Sequence, residues 1–215
     1  MDENDFSIHI SKEELAEMPV VSFPGQIVLV DSAAVVHSAL RALSSEKAVG
    51  FDTETRPSFR KGSRHKVALM QLSTQERCFL FRLNKIGICA ELKRFLENPD
   101  ILKIGLSVHD DFNAIRRSEE FEPAGFIDLQ SEVRAFRIKD ISLQKIYGIV
   151  FGERISKGQR LTNWEADTLS EAQQDYAALD AWACLRLYDH LRSGRFKPME
   201  SPYLHPIETE NTENK

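Results

Sequence analysis

Hydrophobic and polar residues follow one another in blocks that predict strands separated by helices along most of the chain. Short apolar runs rich in β-branched and aromatic residues indicate strands at 27–30, 48–54, 67–72, 78–81, 101–105 and 126–129. The three runs between residues 48 and 81 are expected to form a meander.

Helices are predicted where the spacing of apolar residues changes and polar caps appear. The predicted ranges are 11–17, 32–44, 88–97, 110–118 and a long helix at 171–192. Ser11 with Glu14, and Ser170 with Gln173, have the spacing of capping boxes at the first and the last of these helices. Strands with crossing helices, followed by a helical half, predict the α/β class with helices flanking a mixed sheet.

Composition and charge fit a globular domain whose charge is unevenly distributed. The 215 residues are 42% hydrophobic and 28% charged, which is enough apolar material to bury a core. The formal net charge of −5 argues against nucleic acid as a partner. However, residues 1–17 carry −5 and residues 200–215 carry −3, which leaves +3 on residues 18–199. A basic surface on this central part is therefore compatible with the sequence, because the local field governs binding.

The chain shows no sign of secretion or membrane insertion. No apolar run approaches the roughly 20 residues that span a bilayer, and residues 1–10 lack the apolar core of a signal peptide. Cys78, Cys89 and Cys184 form neither a CxxC pair nor a cluster with histidine. We therefore predict a soluble cytoplasmic protein without a disulfide framework, a zinc site or a membrane partner.

Asp52 and Glu54 stand at the end of an apolar strand and point to the same face, because side chains of a strand alternate with a period of two. Two such carboxylates repel each other unless a cation lies between them, and hard divalent cations prefer oxygen ligands. The alternative is a polar strand end paired with Lys or Arg.

Two further acidic sites come later in the chain. Asp110 and Asp111 open a predicted helix, where aspartate is also favoured simply as a cap. Tyr176 and Asp180 are four residues apart on the long predicted helix and therefore share a face. The alternative for this pair is a core tyrosine beside a solvated carboxylate.

In chain order these residues resemble the motifs of the DEDDy branch of the DEDD 3′–5′ exonucleases, close to RNase D and to the Werner exonuclease domain. The resemblance is carried by VGFDTET at 49–55, KIGLSVHDDFNAI at 103–115 and YAALDAW at 176–182, with support from VALMQLS at 67–73 and QRLTNWE at 159–165. A related branch has His five residues before the last acid. Asp175 stands there in this chain, so the tyrosine branch fits.

The resemblance implies a ribonuclease H-like fold with a mixed five-stranded sheet, and hydrolysis of phosphodiester bonds at single-stranded 3′ ends by two divalent cations, Mg²⁺ or Mn²⁺. By this resemblance Asp52 would bridge both cations. Glu54 and Asp180 would help to hold the cation that activates water, and Asp111 the other. Tyr176 would orient the attacking water.

The family motif also bears on the neighbouring acids. It places the ligand directly before an aromatic residue and a helical turn, which selects Asp111 over Asp110. For His109, a supporting role in the site and a surface or capping role both remain open. Asp128 and Asp175 are expected to be surface or capping residues.

Basic and aromatic residues follow the Asp52 strand and suit phosphate contact and base stacking. The candidate nucleic-acid-binding residues are Phe59, Arg60, Lys61, Arg64 and Lys66. A solvated loop is the alternative for this segment. Arg154, Lys157 and Arg160 form a second basic stretch, although Trp164 beside it is expected to pack in the helical half. Nothing in the pattern separates DNA from RNA as the substrate.

The chain is expected to comprise an N-terminal extension with a short helix at 1–24, an exonuclease domain at 25–195 and a polar acidic tail at 196–215, loose from Ser201 onward. No helicase motif is evident, which suggests a stand-alone nuclease or a separate helicase or RNA-binding partner. No oligomeric state is assigned. The alternatives are an inactive nucleic-acid-binding domain of the same fold, which the complete set of acids argues against, and a small-molecule phosphatase.

Overall fold

A computed structural model describes residues 6–58 and 65–207 of the chain. Its strands are β1 (Phe6–Ile8), β2 (Gln26–Val30), β3 (Ala48–Thr55), β4 (Val67–Ser73), β5 (Arg77–Phe81), β6 (Leu102–Gly105), β7 (Phe126–Asp128) and β8 (Leu204–Pro206). Its helices are α1 (Lys12–Ala16), α2 (Ala33–Leu43), α3 (Leu83–Ile86), α4 (Ala90–Leu96), α5 (Val108–Ile115), α6 (Leu129–Glu132), α7 (Leu143–Phe151) and α8 (Glu171–Arg192). No helix of these ranges combines the length and the apolar character needed to cross a membrane.

The central sheet is mixed, as predicted, with the strand order β2-β5-β4-β3-β6-β7. The run β3, β4 and β5 is an antiparallel meander, while β2, β6 and β7 join their neighbours in parallel. The described part of the sheet therefore has six strands, and the five implied by the family resemblance is corrected. The additional strand is at the edge, where Gln26–Val30 pairs with Arg77–Phe81 along its whole length.

Helices cover both faces of this sheet and bury a core on each side. On one face, α2, α4 and α5 pack over apolar residues of β3 and β4 such as Phe51 and Leu72. On the other face, α8 packs across β3, β4, β5 and β6, with α7 lying against α8. Side chains of a strand alternate between these two faces, so each position of β3 belongs either to the core under α5 or to the layer under α8.

The contact between β3 and α8 is unusually close, because small residues meet there. A Cβ placed on Gly50 would lie 1.8 Å from the carbonyl oxygen of Ala181. Ala177, Ala178 and Ala181 are fully buried in α8. The backbones of the strand and the helix therefore touch directly. The positions of β3 that follow Gly50 on the same face thus lie against the preceding turn of α8.

We expect Gly50→Ala to destabilise the protein by about 1–3 kcal/mol, because the added methyl overlaps a backbone atom that cannot move without shifting α8. For a chain of this size that corresponds to a fall in melting temperature of roughly 2–12 °C. Thermal unfolding checks this, with Gly158→Ala as the control, since a Cβ there meets only the Ser156 hydroxyl at 3.6 Å. Equal melting temperatures for both variants would contradict the close contact.

The two ends of the described chain pair with each other away from the central sheet. Strands β1 and β8 form a two-stranded antiparallel sheet in which Ser7 faces His205. Ile8 and Ile10 are almost completely buried in the core cluster that includes α7 and α8 residues. The expectation of a loose tail from Ser201 is thus wrong for Leu204–Pro206, because these residues gain backbone hydrogen bonds from a segment about 200 residues earlier in the chain.

Candidate active site

The site forms where the C-terminal half of β3 meets α8. Asp52 and Glu54 follow Gly50 at intervals of two and leave the strand on the face that α8 covers. Asp180 projects from α8 between buried alanines and is itself buried. One carboxylate oxygen from each of the three residues lies within 4.8 Å of the others. Over residues 6–58 and 65–207, no other group of three or more His, Cys, Asp or Glu side chains comes together at this spacing.

Burial raises the pKa of every carboxyl group in this cluster, and repulsion between the groups raises the pKa of Asp52 and Glu54 further. Desolvation is the largest cause for Asp52, followed by the charge of Asp180. Desolvation also dominates for Glu54, and the charges of Asp52, Asp180 and Asp111 add to it. The pKa of Asp180 is raised by burial and partly lowered by a hydrogen bond from Tyr176. The protein thus brings several acidic groups together in a buried environment that disfavours their ionised form.

A cluster with these properties fits a divalent cation. Carboxylate oxygens are the ligands that Mg²⁺ and Mn²⁺ prefer, and a cation offsets both the desolvation and the repulsion. Arg160 is a positive group that acts on Glu54, and its effect on the pKa of Glu54 is smaller than the effects that raise it. The donor set of Asp52, Glu54 and Asp180 could therefore hold a divalent cation.

Asp111 lies beside this cluster, on the first turn of α5. Its Oδ1 accepts a hydrogen bond of 2.5 Å from the Thr53 hydroxyl. Burial is the largest cause that raises the pKa of Asp111, and the charge of Asp52 is the next. Asp111 is therefore within electrostatic reach of Asp52, although it is outside the group of three carboxylates within 4.8 Å.

A residue in the left-handed backbone region precedes the helix that carries Asp111. Ser107, the residue before α5, has φ 59° and ψ 36°, in the left-handed region. Its backbone N–H donates to Oδ1 of Asp128 at 3.1 Å, and the same oxygen accepts the N–H of Gln130 at 2.9 Å. Asp128 is thus a cap of α6, as expected, that also holds the start of α5.

The neighbouring acids and the histidine do not enter the cluster. His109 and Asp110 are exposed on α5, and Asp175 is exposed on α8. The ring of His109 contacts Phe112 edge to face, with centroids 5.7 Å apart. The geometry is therefore consistent with the choice of Asp111 over Asp110 and with the surface location expected for Asp175.

Tyr176 lies on the same face of α8 as Asp180, one turn earlier. Its hydroxyl is close enough to Asp180 for the two groups to affect each other's pKa, and its ring lies against Trp164 with centroids 6.1 Å apart. Burial, followed by the charges of Asp180 and Glu54, raises the pKa of Tyr176 far above its ordinary value. The hydroxyl therefore stays protonated across the neutral range and can donate a hydrogen bond in the site.

Most of the predicted nucleic-acid contacts cannot be placed. Phe59, Arg60, Lys61 and Arg64 lie outside the described residues. Lys66 is exposed directly before β4 and lines a cavity of about 660 Å³, together with His65 and Glu165.

In the second basic stretch, Arg154 is used structurally, because its Nε donates to the carbonyl oxygen of Met18 at 3.0 Å. Lys157 and Arg160 are exposed, and Trp164 is fully buried, as its expected packing requires.

Glu165 holds basic residues at the edge of the site, which the sequence did not predict. Its carboxylate lies 3.2 Å from Nη1 of Arg56 and 3.4 Å from Nδ1 of His65. Its backbone carbonyl accepts a hydrogen bond of 3.3 Å from Asn84. Arg56 is two residues beyond Glu54, so the ion pair lies next to the carboxylate cluster.

Thr53 and Gln71 are two further polar residues at the site that sequence reasoning missed. Thr53 stands between the two acids of β3, and Gln71 is directly opposite Asp52 in the β3–β4 ladder. The signal for Gln71 was present, since it is a lone amide in the apolar run VALMQLS at 67–73. For Thr53 the sequence offered only its position between the two acids. Its hydrogen-bond partner Asp111 is 58 residues away, so no local pattern connects the two.

Comparison with known proteins gives a consistent result. A sequence model described as a 3′–5′ exonuclease matches residues 27–194. Over 185 residues the chain is 31% identical to the bifunctional 3′–5′ exonuclease/ATP-dependent helicase WRN of Mus musculus, covering 81% of this chain and 13% of that protein. Three curated relatives are matched over only 13% to 26% of their length.

Solved structures share the fold at lower sequence identity. The EXO domain of Aedes aegypti Nibbler has a TM-score of 0.71 at 22% identity, covering 84% of this chain and 97% of that one. Escherichia coli RNase D has a TM-score of 0.69 at 24% identity, covering 78% of this chain and 44% of that one. The mixed sheet flanked by helices is therefore the ribonuclease H-like fold of these exonuclease domains. Since the family model spans most of the sheet and all of α8 up to residue 192, the chain belongs to the 3′–5′ exonuclease family.

Proposed function

We propose that this chain is an active 3′–5′ exonuclease of the DEDDy type. It hydrolyses phosphodiester bonds at single-stranded 3′ ends and releases nucleoside 5′-monophosphates. The observation that carries the proposal is the meeting of Asp52, Glu54 and Asp180 within 4.8 Å, with Tyr176 one turn before Asp180 on the same face of α8. In this proposal the nuclease domain spans residues 25–195.

Each site residue has a distinct role in the proposed reaction. Asp52, Glu54, Asp111 and Asp180 would hold two divalent cations, Mg²⁺ or Mn²⁺. Such cations activate the attacking water and offset charge on the leaving 3′ oxygen. Four carboxylates balance two dications, so the loaded site is close to neutral. Tyr176 keeps its proton and orients the water, because a phenol with a raised pKa is a poor base at neutral pH.

The form of the substrate follows from the position of the site. The carboxylates lie between β3 and the tightly packed α8, so we expect them to accept an unpaired 3′ end and not an intact duplex. Exposed Lys66, Lys157 and Arg160 supply positive charge for phosphate groups around this space. The names of the relatives do not agree on one type of substrate. RNase D of Escherichia coli is named an exoribonuclease, whereas the Mus musculus relative joins its exonuclease to a helicase.

A denaturing-gel time course on 5′-labelled single-stranded DNA and RNA tests the proposal. Each polymer is incubated with Mg²⁺, with Mn²⁺ and with EDTA, beside an Asp52→Asn control. A ladder that shortens from the 3′ end, depends on the cation and is absent in the control is the expected result, and it shows which sugar is preferred. If neither polymer shortens with either cation, the proposal is wrong, and a gel shift then tests for binding without turnover.

Glu165→Gln should tighten the binding of a single-stranded oligonucleotide by about two- to fivefold, because an exposed ion pair is worth up to ~1 kcal/mol and its loss releases Arg56 for a phosphate group. Fluorescence anisotropy in EDTA measures the dissociation constant without cleavage. Glu132→Gln is the matched control, because Glu132 pairs with Arg192 at 2.8 Å with similar exposure. Equal tightening in both variants would mean that only net charge matters.

A further inference from the structure

Gln71 is a polar side chain without a hydrogen-bond partner in the part of the chain that the structure describes. It is fully buried in β4, and neither its Nε2 nor its Oε1 has a hydrogen-bond partner among the described residues. A buried amide without partners costs about 1–3 kcal/mol for each unpaired group. A residue that carries such a cost in the middle of a core strand calls for a specific explanation.

The surroundings of Gln71 offer few polar groups. Across the sheet it faces Leu80 of β5 on one side and Asp52 of β3 on the other. Leu69 and Ser73 lie two residues away on the same strand and so on the same face. The Ser73 hydroxyl already donates to the carbonyl oxygen of Thr74 at 2.9 Å.

Of the two residues opposite Gln71 in the sheet, Asp52 is the one with a polar group that its amide can reach. Directly opposite residues of an antiparallel pair have Cβ atoms roughly 4.5–5.5 Å apart and share a face of the sheet. A glutamine side chain places its amide one methylene group beyond Cβ, so Nε2 comes within reach of a carboxylate on the opposite Cβ. The amide and the carboxylate thus occupy neighbouring positions on the face that α8 covers.

We propose that Gln71 is a positioning residue for the metal site, donating from Nε2 to a carboxylate oxygen of Asp52 when cations are bound. The inference rests on the proposed two-cation site. A ligand carboxylate needs donors for the lone pairs that it does not direct at the cation, and such partners fix its orientation. Gln71 satisfies this need from the sheet side, opposite to the side from which α8 brings Asp180.

The experiment uses Gln71→Met, which keeps the length of the side chain and removes the amide. Isothermal titration with Mn²⁺ should show an affinity about 10- to 100-fold weaker than wild type, the usual effect of losing a partner of a metal ligand. The melting temperature in EDTA should be unchanged or higher, because the orphaned amide is gone. The kcat should fall and recover at high Mn²⁺, with the KM for an oligonucleotide unchanged.

Two variants accompany it. Gln144→Met makes the same change at a buried glutamine of α7, a helix that carries none of the proposed ligands, and should leave the Mn²⁺ affinity at the wild-type value. Gln71→Asn keeps the amide one methylene shorter and should recover part of the affinity. If Gln71→Met does not fold, Gln71→Leu, which also removes the amide, takes its place, and a wild-type affinity in that variant overturns the proposal.

The outcomes separate this inference from the proposed function. A Gln71→Met protein with wild-type Mn²⁺ affinity overturns the role of Gln71. If its melting temperature is lowered as well, Gln71 contributes to packing alone. If wild type binds Mn²⁺ more tightly than Gln71→Met but shortens no polymer, the exonuclease proposal fails while the role of Gln71 stands. A wild-type chain that binds no Mn²⁺ overturns both.

Discussion

Asp52→Asn is expected to abolish cleavage and, at the same time, to raise the melting temperature of the metal-free protein. Asp52 lies at the centre of the carboxylate cluster, and its charge raises the pKa of both Glu54 and Asp111. Removing that charge weakens a ligand that the proposed cations share. These cations stabilise the transition state by several kcal/mol, so activity should fall by about 10³-fold or more. It also relieves repulsion that the empty site cannot offset.

The gain in stability should depend on pH. The folded-state pKa values of Asp52, Glu54, Asp111 and Asp180 are all raised, so the folded protein binds protons more tightly than the unfolded chain. The contribution of these four groups to the stability of the metal-free protein is therefore fully present below the ordinary carboxyl pKa of about 4, and it is lost as pH rises through the raised values. Asp52→Asn removes part of this loss, so its advantage over wild type should widen from acid to neutral pH.

Thermal unfolding in EDTA at several pH values measures this advantage. At neutral pH we expect a gain of about 1–3 kcal/mol, the scale of desolvating an uncompensated polar group, or roughly 2–12 °C. Asp175→Asn makes the same change at an exposed position of α8 and should alter neither activity nor the pH dependence. A metal-free Asp52→Asn protein that melts below wild type at neutral pH would mean that Asp52 stabilises the fold, contrary to this account.

The relative positions of Asp52 and Glu54 on the strand, and of Tyr176 and Asp180 on the helix, could be predicted from local sequence pattern alone. The period of a strand places Asp52 and Glu54 on one face, and the i, i+4 spacing of a helix places Tyr176 with Asp180. Both capping boxes, at Ser11 and Ser170, form as the sequence indicates, and the long helix has the predicted bounds 171–192. These features depend on neighbours within a few residues, which is the range over which sequence spacing carries information.

The features that were missed depend on distant partners. β8 has only three residues and pairs with β1, so no local pattern marks it as a strand. The helix of Asp111 begins at Val108 rather than 110, because Asp128 holds Ser107 in a left-handed conformation from 21 residues away. Glu165 reaches Arg56 over 109 residues. Each of these requires knowledge of which elements become neighbours, and only the packed fold supplies it.

Tyr176→Phe is expected to lower kcat by about 10²-fold while leaving Mn²⁺ affinity at the wild-type value. The change removes only the hydroxyl, so the ring still packs on Trp164, and the carboxylates keep their places. What is lost is the group that orients the attacking water, and a misplacement of about 1 Å in a reacting group has an effect of this size. Single-turnover rates on the preferred polymer and titration with Mn²⁺ measure the two quantities separately.

The pH profile distinguishes orientation from proton abstraction. Because the pKa of Tyr176 is raised by burial and by the neighbouring carboxylates, the hydroxyl stays protonated between about pH 6 and 9. The ratio of wild-type to Tyr176→Phe rates should therefore be constant over this range, whereas a tyrosine acting as the base would make the ratio grow with pH. Tyr147→Phe is the control, since Tyr147 is bonded to Glu153 and Arg186 on the far side of α8 from the sheet contact. If Tyr176→Phe leaves the rate unchanged, Tyr176 is a packing residue beside Trp164, and the water must be oriented by the carboxylates alone.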